Sequence, residues 1–181
     1  MPRNKRHVER EVKQQQIEVA ATSLFIEKGY DATSMANIAQ RADVATNTLY
    51  WYYENKDDLL VAVLNRLFSK GLSDYSLISE ATIDRQLLWL LNEFEQARTL
   101  IALVHARIEH SPQLQLWHQQ FHRILESIMV AQLVKQGLDQ AAAEIDATVV
   151  SYVLEGLLSH PHTPQQQQQI INRLVASYLP T

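Results

Sequence analysis

"TSMANIAQRADVATNTLYWYYENKDDLL", residues 33–60, decides the fold. A helix turns about 100° per residue, so side chains three and four apart share a face. Thr33 or Ser34 offers a cap for a short helix over about 34–41, with Ile38 and Ala42 on one face and small Ala39 beside them. Ala42-Asp43-Val44 makes a tight connection. A second short helix follows over about 45–52, with Ala45, Leu49 and Tyr53 forming its inner stripe. Two short helices, a small residue where they cross and a brief turn are the parts of a helix-turn-helix.

Tyr50, Trp51, Tyr52 and Tyr53 are consecutive, so they point four ways and cannot all be core. With Tyr53 inside, the opposite face shows Thr46, Asn47 and Tyr50, while Thr48, Trp51 and Tyr52 fall on the flanks. Asparagine can pair with adenine, the threonine methyl can meet thymine, and an outward tyrosine can reach a phosphate or a base edge. Lys56 opens the next helix, over about 55–70, where backbone N–H groups also favour phosphate. The same pattern fits an ordinary helix pair whose aromatic cluster serves packing alone.

Outside this stretch the punctuation is helical. Gly29, Gly71 and Gly137 each follow a helical pattern, with a lysine within two residues before and an apolar residue after, the signature of a helix end. Ser111-Pro112 and Thr163-Pro164 read as cap plus first helical position. Pro161 and Pro180 close the segments before them. Roughly nine helices result: about 10–28, the three above, 82–109 with a break near Arg98, 112–136, 141–160 and 164–179. Helix 1 places Ile17, Ala20, Ala21, Leu24 and Phe25 on one face. The glutamine runs 14–16 and 165–169 read as solvated helix surface.

At 181 residues, 46% hydrophobic and 20% charged, the chain is globular. With no cysteine there is no disulfide scaffold and no thiolate site. No apolar run reaches membrane-spanning length and MPRNKRHVER lacks a signal's apolar stretch, so a soluble, cytoplasmic protein is expected. Net charge is −4. Residues 1–66 are neutral, with 9 Lys/Arg and 9 Asp/Glu, but Arg3, Lys5, Arg6, Arg10 and Lys13 make a basic N-terminal arm. There is no Gly-rich phosphate loop and no GxSxG, so no enzyme is expected, and no cofactor.

The run Ile17-x-x-Ala20-Ala21-x-x-Leu24-Phe25, Gly29-Tyr30-x-x-Thr33-Ser34-Met35-x-x-Ile38-Ala39-x-x-Ala42-x-Val44-Ala45-x-x-Thr48-Leu49-Tyr50-x-Tyr52-Tyr53-x-x-Lys56-x-x-Leu59 resembles the N-terminal domain of the TetR family of bacterial transcriptional regulators. The resemblance covers about residues 10–62. It implies an all-helical homodimer whose second short helix enters the major groove of double-stranded operator DNA. It assigns DNA contacts to Thr46, Asn47, Thr48, Tyr50, Tyr52 and Lys56, with Ser34 and Ala36 near them on the preceding helix. Tyr52 stands where relatives often have histidine, Tyr53 where they often have phenylalanine. Ala36 replaces an arginine that some use to read guanine, so their operators cannot be transferred.

Two domains are expected: 1–56, the helix-turn-helix with its basic arm, and 57–181, a helical effector-binding and dimerisation domain. "EIDATVVSYVLEGLLSH", 144–160, is apolar almost all round, which predicts burial on all faces. Gly156, taken as the one glycine inside a helix, suggests that another backbone passes close. Val149, Tyr152, Val153, Gly156 and Leu157, with Ile170 and Leu174 of the last helix, are the expected dimer face, pairing two helices with their symmetry mates. The family uses the same arrangement. Burial within one subunit is the competing explanation.

Trp89, Trp117 and Phe121, with His105, are the candidate small-molecule effector residues, though an aromatic stripe is more often core. His118 and His122 are four apart, with Glu126 extending the row. This is not a metalloprotease motif, and no metal site is assigned. The expected function is a ligand-responsive transcriptional regulator on a near-palindromic operator, a repressor by the family's habit. The alternative is a helical partner-binding or architectural protein that keeps the fold without reading DNA.

Overall fold

The computed structural model describes residues 2–178, with side chains from residue 9 onward. Among the described residues there are nine helices and no strand. They are α1 (Pro2–Lys28), α2 (Met35–Arg41), α3 (Thr46–Tyr52), α4 (Lys56–Ser76), α5 (Ile83–Gln96), α6 (Arg98–Arg107), α7 (Pro112–Lys135), α8 (Gln140–Ser159) and α9 (Pro164–Tyr178). The side chains of Arg3, Lys5 and Arg6 from the expected basic arm, and Pro180, lie outside the described set. The break near Arg98 is real, with Ala97 between α5 and α6.

The chain divides into two compact units. The first holds the chain up to Lys70 together with Ala102–Gln115; the second holds Gly71–Ile101 and the chain from Leu116 onward. The end of α6 and the start of α7, distant in sequence, are therefore part of the unit that carries α2 and α3.

In the first unit, Ile17, Ala21, Leu24 and Phe25 of α1 are buried, as are Ile38, Ala39, Leu49, Leu59, Leu60 and Val63. Ser34 caps α2 by accepting from the Asn37 N–H at 3.1 Å. The turn to α3 is a Schellman closure: Val44 N–H reaches Ala39 O at 3.0 Å and Asp43 N–H reaches Gln40 O at 3.2 Å. Asp43 takes the left-handed conformation this needs, with φ 52°. Asp tolerates that region because its side chain is short and polar.

The start of α4 is fastened by ionic contacts. Asp57 accepts a hydrogen bond from the Tyr30 hydroxyl, and from Arg107 Nε at 3.1 Å and a terminal guanidinium nitrogen at 3.2 Å. Lys56 Nζ donates to Tyr30 O at 2.6 Å and Thr33 O at 2.8 Å. Both cations also lie over the Tyr30 ring, Lys56 at 4.0 Å and Arg107 at 4.4 Å from its centroid. Burial pushes the Asp57 carboxyl up, but hydrogen bonds from Arg107, Tyr30 and Ser111 outweigh it and hold it below its ordinary 3.8. Burial, reinforced by Asp57, raises the Tyr30 phenol. Burial lowers Lys56.

The second unit has its own core: Ile83, Leu87 and Leu91 of α5, Leu133 of α7, Ala147, Val150, Leu154 and Leu157 of α8, and Ile171 of α9. A capping box opens α9: Gln166 N–H donates to Thr163 Oγ1 at 3.2 Å, and Thr163 N–H to Gln166 Oε1 at 2.8 Å.

Three expectations need correction. Helix α4 does not end at Gly71 but runs on to Ser76, and Gly71 is not left-handed. Leu64, Leu67 and Leu72 continue the apolar spacing, so the lysine-glycine pair does not stop the helix. Helix α8 is not buried on all faces of one chain: Ile145 is 67%, Val149 40% and Tyr152 69% exposed. Gly156 is not the one helical glycine, and a Cβ built on it meets nothing within 4 Å in this chain.

The two kinds of glycine separate by mutation. Gly29 has φ 82°, so Gly29→Ala lowers stability by about 1–2 kcal/mol. Gly71 lies inside α4 with open space around it, so Gly71→Ala raises stability by about 0.5–1 kcal/mol. Urea denaturation of both variants checks the opposite signs. Asp57→Asn lowers stability at neutral pH by about 1.5–3 kcal/mol, the range for hydrogen bonds to a charged group. Because the folded carboxyl is depressed, its stabilisation is present above the unfolded value of 3.8 and is lost as pH falls through the folded value. The gap between wild type and Asp57→Asn therefore closes below about pH 4, measurable by denaturation across a pH series.

Candidate nucleic-acid interface

Helix α3 spans seven residues, with Ala45 before it making no side-chain cap. An isolated helix this short is unstable in water, so its orientation is set by what it packs on. Leu49 is fully buried and Tyr53, just past its end, is 6% exposed. The Tyr53 hydroxyl donates to Glu18 Oε1 at 2.7 Å, and the other Glu18 oxygen meets Arg66 Nε at 3.4 Å. Burial, then the Glu18 bond, raises the Tyr53 phenol. The core side of α3 is thus fixed by one aliphatic and one hydrogen-bonded aromatic.

The other side is open. Thr46, Asn47 and Tyr50 are exposed, and Thr48 and Tyr52 are half-buried. Trp51 is 66% exposed against 49% for Tyr50, making it the more outward of the two. The expectation that Trp51 lies on a flank is corrected: Asn47 and Trp51 are four apart and share the open face. Trp51 lies under the Arg10 guanidinium at 4.9 Å and edge-on to Tyr52 at 4.9 Å. The Tyr52 hydroxyl is 3.4 Å from Arg10 O. Arg10 and Trp51 belong to this face. The 47-to-51 spacing could have revealed the tryptophan; nothing local in sequence joins residues 10 and 51.

On α2, Ala36 is exposed, and exposed Ser34 is engaged in capping. Lys56 is half-buried, with two of its three donors given to the 30–33 loop. It is not the free cation that its place in the sequence suggested.

In the second unit, Trp117 stacks on Phe121 at 5.1 Å, Phe94 meets Phe121 at 5.9 Å, and Trp89 meets Tyr75 at 6.0 Å. His105 is exposed and belongs to the first unit. His118 and His122 approach each other at 3.1 Å, and His122 Nε2 lies 3.5 Å from Glu155. Among the described residues no three His, Asp or Glu groups converge as a metal site would require. A groove of about 850 Å³ lies along α8 and α9, bordered by Val153, Gly156, Leu157, Ile170, Arg173 and Leu174. Leu157 contributes only its edge, being 7% exposed. No helix among the described residues is long and apolar enough to cross a membrane.

Residues 17–63 match the family model described as bacterial regulatory proteins, tetR family. The HTH-type transcriptional repressor KstR of Mycobacterium tuberculosis is 36% identical over 80 residues, covering 43% of this chain and 36% of that protein. HbdR of Aromatoleum, an HTH-type transcriptional regulator, is 42% identical over 57 residues, 32% of this chain and 25% of its own. The matched stretch thus spans about a third of the length of these relatives. The fatty acid metabolism regulator protein of Bacillus subtilis is 24% identical over 163 residues, 78% of this chain and 84% of its own. Among solved structures, a TetR transcription regulator from Haloarcula marismortui superposes with TM-score 0.72 at 17% identity, over 93% of this chain and 96% of that one. The multidrug binding protein EbrR, complexed with imidazole, superposes with TM-score 0.64 at 22% identity, over 93% and 96%. Residues 17–63 are thus a tetR-family domain of bacterial regulatory proteins, and the whole chain shares the fold of solved structures carrying the family's name.

Proposed function

We propose that the chain is a ligand-responsive transcriptional regulator that binds a near-palindromic operator as a homodimer, with α3 in the major groove. The observation that carries this reading is the two-sidedness of α3. Its Leu49 is wholly buried while Thr46, Asn47 and Tyr50 stand free on the opposite face. These are hydrogen-bonding side chains of a size that reaches base edges. Thr48, Tyr52 and the α2 residues Ser34 and Ala36 border the same contact. Lys56 has one donor left for a phosphate; its other two hold the loop that precedes α2. Repression is the commoner action by name among the relatives, KstR included.

The dimer reading rests on α8 and α9. Ile145, Val149, Tyr152 and Ile170 are exposed in one chain, beside a groove bordered by Gly156 and Leu174. A stripe of large apolar side chains left in water is disfavoured, and a second copy would cover it. Effector binding is assigned to Trp89, Trp117 and Phe121, with Phe94 packed against Phe121. An effector that binds the non-DNA-bound form more tightly releases DNA, and DNA weakens effector binding by the same factor.

Selection of bound duplexes from a random pool recovers a near-palindrome with wild type. Tyr50→Ala weakens binding to it about tenfold or relaxes its sequence, the scale of one lost base contact. No enrichment at low salt from folded dimer would favour the partner-binding alternative. Val149→Asp combined with Tyr152→Asp converts the dimer to monomer in sedimentation velocity without loss of helical content. A dimer unaffected by both charges would refute the α8–α9 pairing.

A further inference from the structure

The unit that carries α3 is short of available positive charge. Residues 1–66 hold 9 basic and 9 acidic side chains. Four of the described cations are engaged inside the unit. Arg41 pairs with Glu27 at 3.0 Å, Arg66 with Glu18 at 3.4 Å, and Arg107 with Asp57 at 3.1 Å. Lys56 is bonded to two carbonyls. Among the described residues, Arg10 is the one arginine of that unit with no carboxylate partner. Duplex DNA presents a dense row of phosphates, and affinity depends on cations free to meet them.

Arg10 is held beside α3. Its guanidinium lies over the Trp51 ring at 4.9 Å, and its backbone carbonyl is 3.4 Å from the Tyr52 hydroxyl. Stacking engages the flat face of a guanidinium and leaves the in-plane N–H donors unused. Those donors suit a phosphate, which accepts two parallel N–H bonds. This also gives a reason for a tryptophan that is 66% exposed on a helix where smaller polar residues read bases. We propose that Arg10 is a phosphate-binding residue of the DNA interface, and that Trp51 positions it at the end of the recognition helix. The proposal rests on the DNA-binding reading above and adds a residue from α1 to it.

Equilibrium binding is measured by fluorescence anisotropy on the selected operator and on a scrambled duplex, across a salt series, for wild type, Arg10→Gln, Arg10→Lys, Trp51→Leu and Trp51→Phe. Each variant's melting temperature is recorded alongside. Arg10→Gln weakens both duplexes alike, by roughly 10- to 100-fold at 0.1 M salt, and flattens the log–log salt slope by about 1.8, one phosphate per protomer in a dimer. Arg10→Lys restores most of the slope. Trp51→Leu loses part of the affinity and Trp51→Phe regains it; Trp51→Leu adds nothing once Arg10 is glutamine. A fastening role alone would lower the melting temperature and leave the salt slope unchanged, and that result overturns the proposal. Wild-type affinity and slope in Arg10→Gln overturn it too. Wild type that binds neither duplex removes the DNA-binding reading itself, and the assignment of Arg10 with it.

Discussion

A helix of seven residues such as α3 cannot hold its own direction, and much of the first unit is arranged around that constraint. Packing alone would leave α3 free to roll about Leu49. Two polar anchors restrict it. At its end, Tyr53 donates to Glu18, a carboxylate 8% exposed and paired with Arg66. Just beyond, Lys56 and Asp57 bind the loop that leads into α2, through Tyr30 and Thr33. Buried charged groups like these are weak sources of net stability, because their desolvation offsets most of the attraction. Their value is directional: they permit one geometry of α3 and penalise the rest.

On the DNA-binding reading proposed above, the same anchors limit how the unit would attract DNA. Every cation used to orient α3 or α4 is a cation withdrawn from the surface. A neutral domain that pairs Arg41, Arg66 and Arg107 internally has less nonspecific attraction for a polyanion. On that reading, binding would depend more on contacts made in register than on general charge, which favours discrimination over raw affinity. The acidic second half of the chain points the same way.

What was legible in the sequence was what local rules determine. The α2–α3 pair follows from the spacing of Ile38, Ala42, Leu49 and Tyr53, and the ends at Gly29 and Gly137 from left-handed capping, with φ 82° and 99°. Gly71 was misleading because its lysine-glycine context is identical in kind, while the apolar spacing running through it is what kept α4 intact. Pairing 46 with 50 puts Trp51 on a flank, whereas pairing 47 with 51 puts it on the open face, where it is 66% exposed. The Arg10–Trp51 and Arg107–Asp57 contacts join residues 41 and 50 positions apart. No periodicity reports a contact of that kind. Nor could spacing show that Lys56 turns inward, since its neighbours in space, Tyr30 and Thr33, are two helices earlier.

Helix α8 carries the argument one step further. Its composition suggested burial all round, yet one chain covers only the face of Ala143, Ala147, Val150, Leu154 and Leu157. The remaining face is not a random scatter of apolar residues. Ile145, Val149, Tyr152 and Gly156 recur at spacings of three and four, which is a helical stripe. Gly156 sits within it, with no atom of its own chain near the position of a Cβ. A helix glycine costs about 1 kcal/mol relative to alanine. Gly156 borders the α8–α9 groove, where the second copy proposed above would pass close to the α8 backbone.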